Sequence, residues 1–171
     1  MEKIDYSIAL RTVMAAADLL KEGAADPDRA LQLLKPLEAC DNFPSVSAQH
    51  STVMMSAIWA SFGDCHRLLD QPREAAECYR RAFTYSPLTG FSEFYADLVM
   101  THCIKDHYQT ALKALNAAEE AWDRNTWWVR LKYNLISMWK DIGAWKMSRK
   151  NRTLASRLAE LLHAPLSSPK A

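Results

Sequence analysis

The chain has 171 residues and a formal net charge of +1, which suits one soluble domain and excludes a strong overall attraction to nucleic acid or membranes. Hydrophobic residues make up 49% of the sequence and charged residues 24%, so the composition excludes a disordered chain and a membrane protein. Only four glycines interrupt a sequence rich in Ala and Leu, which favours helices over sheets.

The N-terminal segment has acidic residues close to its start and lacks the uninterrupted apolar core of a signal peptide. No later window reaches the roughly 18 apolar residues that a membrane-spanning helix needs. Four cysteines lack both Cys-x-x-Cys spacing and a small secreted framework, so we expect buried reduced thiols at Cys40, Cys65, Cys78 and Cys103. We therefore predict a cytoplasmic protein without a transmembrane segment.

Apolar residues recur every three or four positions through most of the chain, which predicts an all-α fold. We expect an Asp of the turn Asp26-Pro27-Asp28 to cap the second helix, Ser45 or Ser47 to cap the third, and Pro72 to lie in the first turn of the fourth. The eight predicted helices cover residues 6–22, 28–39, 47–69, 72–85, 91–104, 108–122, 126–142 and 144–163. Short turns between them require each helix to pack antiparallel to its neighbour in sequence.

Residues 56–87 contain small, aromatic and proline residues at helical spacing. The pattern consists of Trp59, Phe62, Gly63, His66, Ala75, Tyr79, Ala82 and Pro87. It resembles the tetratricopeptide repeat, in which W-x-x-L-G-x-x-Y is followed by A-x-x-x-F and then P. In such a repeat Gly63 and Ala75 allow two helices to cross closely, and Tyr79 faces the next helix pair.

A second copy of the pattern follows at about the period of this family. Its residues are Tyr95, Leu98, Val99, His102, Ala111, Leu115 and Ala118. The 36 residues from Ala75 to Ala111 require a small insertion, and Val99 in place of glycine predicts a wider crossing. A weaker first copy comprises Met14, Ala17, Asp18, Ala30, Leu34 and Leu37. The last pair, from Thr126 onward, has Ser148 and Asn151 where apolar residues are expected, and could serve as a cap.

The resemblance implies a superhelix of about four antiparallel helix pairs. They would form a single domain over residues 1–164, with the best repeats at residues 56–89 and 92–125, divergent pairs at both ends and a disordered tail at 165–171. An irregular helical bundle is the alternative.

Motifs of catalysis are absent from the sequence, which has no P-loop, dinucleotide fingerprint, His-Glu-x-x-His or Gly-x-Ser-x-Gly. The pairs Cys65–His66 and His102–Cys103 do not favour a metal site, because adjacent residues on a helix point about 100° apart. Both histidines stand where the repeat usually has tyrosine, so we expect them to be packed. Nothing orients His107 with Asp106, or Cys78 with His66, as a nucleophilic pair. We expect no enzyme activity, no cofactor and no metal.

The resemblance also implies that a partner binds in a concave groove lined by the first helix of each pair. The groove residues would be Ala57, Ala60, Asp64, Arg67, Glu93, Ala96, Asp97 and Met100, extended by Arg130, Tyr133 and Asn134. Relatives that hold a C-terminal carboxylate use Lys, Asn and Arg there, whereas this groove offers mostly Ala and Asp. We therefore expect an adaptor, scaffold or chaperone-like protein that binds a basic or apolar protein segment.

A second candidate surface lies near the C-terminus, where four tryptophans accompany six basic residues. The tryptophans are Trp127, Trp128, Trp139 and Trp145, and the basic residues are Lys140, Lys146, Arg149, Lys150, Arg152 and Arg157. Such a stretch could bind an acidic protein, a nucleic acid or anionic lipid, which gives a regulatory subunit as the alternative function. The tryptophans could equally form a cap or mark self-association.

Overall fold

The computed structural model of the chain describes residues 4–21, 25–86, 91–118, 120 and 138–163, excluding the side chains of 138–149. Within these ranges the protein is helical and contains no strand, so the all-α prediction is confirmed. The seven helices are α1 Tyr6–Leu19, α2 Pro27–Leu34, α3 Ala48–Leu68, α4 Pro72–Tyr85, α5 Ser92–Thr101, α6 108–118 and α7 Met138–His163. None of the helices described there is long and apolar enough to cross a membrane.

Three helices begin where the sequence predicts. The Asp26 carboxylate accepts a hydrogen bond from the backbone N–H of Arg29 at 3.1 Å, at the start of α2. The Ser47 hydroxyl accepts one from the N–H of His50 at 3.3 Å, and Pro72 is the first residue of α4. The first N–H groups of a helix have no partner inside it. Asp26 and Ser47 accept hydrogen bonds from such groups, and Pro72 has no N–H to leave unpaired, so the three local predictions are confirmed.

The second helix changes character at Pro36. The α-helix ends at Leu34 and continues as a 3₁₀ turn over Lys35–Leu37, because proline lacks an N–H and its ring clashes with the preceding turn. Leu34 and Leu37 are nevertheless both buried. The element therefore keeps its apolar side facing the core although it is shorter than the predicted 28–39.

Helices α3 and α5 end in the same way. Asp70 and Cys103 have positive φ values of 56° and 53°, in the left-handed region. The N–H of the following residue then donates to a carbonyl five residues back, from Gln71 to His66 and from Ile104 to Val99, each at 2.9 Å. These bonds satisfy carbonyls at the helix end and reverse the chain within a few residues. After α3 the reversal leads directly into α4, antiparallel to it.

Helix α7 continues through Gly143, so the predicted break at Ile142–Gly143 is wrong. A single glycine inside a helix costs only about 1 kcal/mol, which does not suffice to end it. Leu154 and Leu158 in the C-terminal half of α7 are buried, and α7 packs on α5. Most of the predicted helix 126–142, Pro87 and the tail 165–171 lie outside the described residues.

The remaining helices pack mainly on their neighbours in sequence. Helix α1 packs on α2 and α3, α2 on α3, α3 on α4, and α4 on α5. Within the second copy of the pattern, the positions expected to be apolar are buried, whereas His102 is exposed and Ala118 half-buried. The buried ones are Tyr95, Leu98, Val99, Ala111 and Leu115.

The α3–α4 pair crosses closely at Gly63. A Cβ atom at this position would lie 2.6 Å from Cε1 of Tyr79, so only glycine fits without a shift of the ring. Tyr79 is fully buried and stacks on Phe91 with ring centroids 5.7 Å apart, and its ring lies 5.9 Å from that of Tyr95. The predictions that Gly63 permits the crossing and that Tyr79 faces the next helix are confirmed.

The first copy of the pattern is correct in α2 but wrong in α1. Ala30, Leu34 and Leu37 are buried as predicted. Met14, Ala17 and Asp18 are exposed instead of buried, with 59% exposure at Met14.

The residues of α1 that face the core are Ala9 and Ala16. Their spacing equals that of Ser56 and Gly63, which are buried on α3. The link from Ala16 to Ala30 is two residues longer than that from Gly63 to Ala75, so the two pairs have different spacing between their buried small residues.

Candidate functional site

The predicted groove residues of α3 lie on one side of the helix. Ala57, Ala60, Asp64 and Arg67 follow one another at intervals of three or four residues and are all half-buried. The structure therefore gives them a shared, partly accessible face.

The predicted groove residues of α5 have three different environments. Asp97 is exposed, and Glu93 and Met100 are half-buried. Ala96 is fully buried, so its side chain does not belong to an accessible face. The remaining predicted groove residues, Arg130, Tyr133 and Asn134, lie outside the described residues.

Asp64 is engaged within the fold. Its carboxylate accepts a hydrogen bond from the Tyr79 hydroxyl at 2.6 Å and lies 3.8 Å from Nη2 of Arg67. Burial raises the pKa of Asp64, while the Tyr79 hydrogen bond and the Arg67 charge act in the opposite direction. Asp64 therefore helps to hold α3 against α4 and offers only part of its carboxylate to a ligand.

Phe94 is a residue of this face that sequence reasoning missed. Its ring is 48% exposed, and the Arg67 guanidinium lies over it at 5.0 Å from the ring centroid. This contact joins α5 to α3 by a cation–π interaction. The available signal was its position three residues before Asp97, which places an aromatic and an acid on the same side of α5.

Asp97 is the acid that this face presents to solvent. Among the described residues it forms no ion pair, in contrast to Asp64 and Glu93. The accessible part of the face thus combines an apolar ring at Phe94 with a carboxylate about one turn further along α5.

Helix α7 covers the part of the predicted groove around Glu93. Lys150 of α7 forms an ion pair with Glu93. Leu154 and Leu158, which follow Lys150 by one and two helical turns, are buried in the core. Lys150 is therefore partly withdrawn from the predicted basic surface. Arg152 and Arg157 are exposed, and the side chains of Lys140, Lys146 and Arg149 lie outside the described part.

The histidines considered for chemistry have hydrogen-bonding partners. Nδ1 of His66 lies 2.6 Å from Oε1 of Gln71, and Nδ1 of the buried His107 lies 2.8 Å from the Tyr95 hydroxyl. Nε2 of His107 lies 3.8 Å from Oδ2 of Asp106. These contacts give His66 and His107 a packing role. His102 is exposed, so the prediction that it is packed is wrong.

Cys65 and Cys78 are buried as predicted, whereas Cys40 is half-buried and Cys103 is exposed, so the prediction of burial is wrong for these two. The two buried cysteines of the α3–α4 pair are poor nucleophiles. Burial raises the pKa of Cys65 and of Cys78 to about 12, so both remain thiols near neutral pH. Within the described ranges, no group of three or more His, Cys, Asp or Glu residues is arranged to hold a metal ion.

Comparisons with protein-family models, with curated proteins and with solved structures found no match to this chain. The described residues form an all-α protein in which most helices pack on the next helix along the chain. The resemblance to tetratricopeptide repeats is therefore based only on the residue pattern described in the sequence analysis.

Proposed function

We propose that the protein is a non-catalytic interaction module, an adaptor, scaffold or chaperone-like protein with a tetratricopeptide-like superhelix. It binds a protein segment on the α3–α5 face, which comprises Ala57, Ala60, Arg67, Phe94 and Asp97. The observation that supports this most directly is the Phe94 ring, almost half exposed beside Arg67 and one turn from Asp97.

The chemistry of the face favours a segment with a large apolar side chain close to a Lys or Arg. Phe94 offers an apolar contact of the kind that dominates interface energetics, and Asp97 offers a carboxylate for a cation. The small side chains of Ala57 and Ala60 leave room for a backbone to approach α3.

A ligand carboxylate fits this face less well. Arg67 is the only cation of the α3–α5 face, and its guanidinium already contacts both Phe94 and Asp64. An acidic group would displace those contacts and meet the negative charge of Asp97. The ligand class is therefore basic and apolar.

The packing of the central helices supports the superhelix. Gly63 meets Tyr79 where the repeat pattern has its small residue, and the α3 and α5 ends share one backbone geometry. Repetition of a helix pair with its turn is the basis of such arrays.

The proposal is tested by selecting binders from a displayed random-peptide library and measuring their affinity by fluorescence anisotropy. We expect the selected peptides to combine apolar and basic residues. Phe94→Ala and Asp97→Lys are each expected to weaken binding about ten-fold or more, the size of effect seen at central interface residues.

Asp41→Lys is the matched control, because Asp41 is also exposed but lies in the connection before α3. Its charge change equals that of Asp97→Lys, so any general effect of charge appears in both variants. Equal affinities of the two variants for the selected peptides would refute the proposed face.

A further inference from the structure

Helix α1 exposes three large apolar side chains to solvent, with Ile8 and Leu10 at the two edges of its exposed side and Met14 between them. Ile8, Leu10 and Met14 are 49%, 40% and 59% exposed, and they make up three of the eight large hydrophobic residues exposed in the described part of the chain. The opposite side of the helix buries Ala9 and Ala16. The exposed residues therefore do not serve the packing of α1 on α2 and α3.

Two opposite charges, Arg11 and Asp18, lie on the exposed side of α1, one before and one after Met14 and Ala15. Arg11 precedes Met14 by three residues, Asp18 follows Ala15 by three, and all four side chains are exposed. Arg11 and Asp18 lie two helical turns apart and so share one side of α1. Asp18 pairs with Lys21 at 2.7 Å, but both side chains are about 70% exposed, so this surface pair competes weakly with another partner.

We propose that α1 binds α1 of a second copy of this chain, antiparallel and about a two-fold axis that passes between Met14 and Ala15. Arg11 then meets the partner's Asp18, and the same contact forms again on the other side of the axis. Met14 meets the partner's Ala15, whose small side chain allows close approach. Such a contact is self-complementary, as two-fold interfaces require.

The pattern of charges selects the antiparallel arrangement. In a parallel pair each Arg11 would face Arg11 of the partner subunit, and each Asp18 would face another Asp18, so both contacts would be repulsive. The residues of this interface are distinct from those of the α3–α5 face.

The test is sedimentation velocity over a concentration series on the wild type, Arg11→Glu, Asp18→Arg and an equimolar mixture of the two variants. The wild type is expected to dimerise. Each variant alone brings like charges together twice and is expected to raise the dissociation constant about ten-fold or more. In the mixture, the new Glu at position 11 of one chain meets the new Arg at position 18 of the other. Asp18 of the first chain meets Arg11 of the second, so the heterodimer regains two attractive pairs.

Arg73→Glu makes the same charge change on the exposed side of α4 and is expected to leave dimerisation unchanged. Circular dichroism melting curves check that every variant folds. A wild type that stays monomeric, or variants that dimerise as the wild type does, would overturn the interface. Two monomeric variants whose mixture stays monomeric would overturn the antiparallel pairing.

Discussion

The central pair α3–α4 and the N-terminal pair α1–α2 follow the same residue pattern but place it differently. In the central pair Gly63 lies against Tyr79, and α4 begins at Pro72, soon after α3 ends at Leu68. In the N-terminal pair α1 ends at Leu19 and α2 begins only at Pro27. The two pairs thus differ both in the length of the connection and in which positions of the first helix are buried.

The two pairs also differ in how their first helix is held. The buried Ser56 hydroxyl of α3 donates to the carbonyls of Ala82 and Ser86 at 2.8 and 3.2 Å, which ties α3 to the end of α4. The corresponding residue of α1 is Ala9, which has no such group. The central pair is thus specified by both packing and hydrogen bonding, whereas α1 is held by its small buried residues.

The largest effect that would test this comparison is expected for Gly63→Leu. Because even a Cβ atom would lie 2.6 Å from the Tyr79 ring, the variant is expected to lose about 1 to 3 kcal/mol of unfolding free energy, measured by urea denaturation. Thr52→Leu, at an exposed position of the same helix, should change it by less than about 0.5 kcal/mol. Equal stabilities of the two variants would contradict a close crossing at Gly63.

A smaller effect is expected for Ser56→Ala. The change removes a buried hydroxyl and leaves the carbonyls of Ala82 and Ser86 with one donor fewer, at a cost of about 1 kcal/mol in the free energy of unfolding. Ser61→Ala is the control, because the Ser61 hydroxyl donates to the carbonyl of Ala57 on its own helix and so does not link α3 to α4 among the described residues. If both variants lost the same unfolding free energy, the hydrogen bonds from Ser56 to the end of α4 would add nothing to stability.

The smallest effect concerns pH and Asp64. Because burial raises the pKa of Asp64 above its ordinary value of 3.8, the folded protein binds its proton more tightly than the unfolded chain does. The contribution of this group to stability therefore falls as pH rises above 3.8. Asp64→Asn removes the titration and keeps an oxygen that can accept from Tyr79.

The measurement is the difference in unfolding free energy between the wild type and Asp64→Asn at a series of pH values. We expect the difference to shift in favour of the variant as pH increases. A shift in favour of the wild type would mean that the charge of Arg67 outweighs burial at Asp64.

Local chemistry explains what the sequence made predictable. The caps at Asp26 and Ser47 depend on residues within one turn, and the crossing of Gly63 with Tyr79 depends on a helix pair with a short connection. In both cases a few neighbouring residues determine the geometry, so one sequence suffices to predict it.

Tertiary packing explains what was missed. The residues of α1 do not reveal that Met14 faces solvent, and those of α5 do not reveal that the Phe94 ring contacts Arg67 of α3. Likewise, nothing near Lys150 in the sequence indicates Glu93 as its partner. Such features depend on contacts between helices that are distant along the chain.

The contact between α5 and α7 has a consequence for the synthesis of the protein. Glu93 and Lys150 are 57 residues apart, and a ribosome that adds about 5 to 20 residues per second needs roughly 3 to 11 s to cover that distance. The α3–α4 pair can close during this interval, whereas the side of α5 that contacts α7 has no partner from that helix yet. A nascent chain therefore passes through a period of seconds in which α5 is open to chaperones.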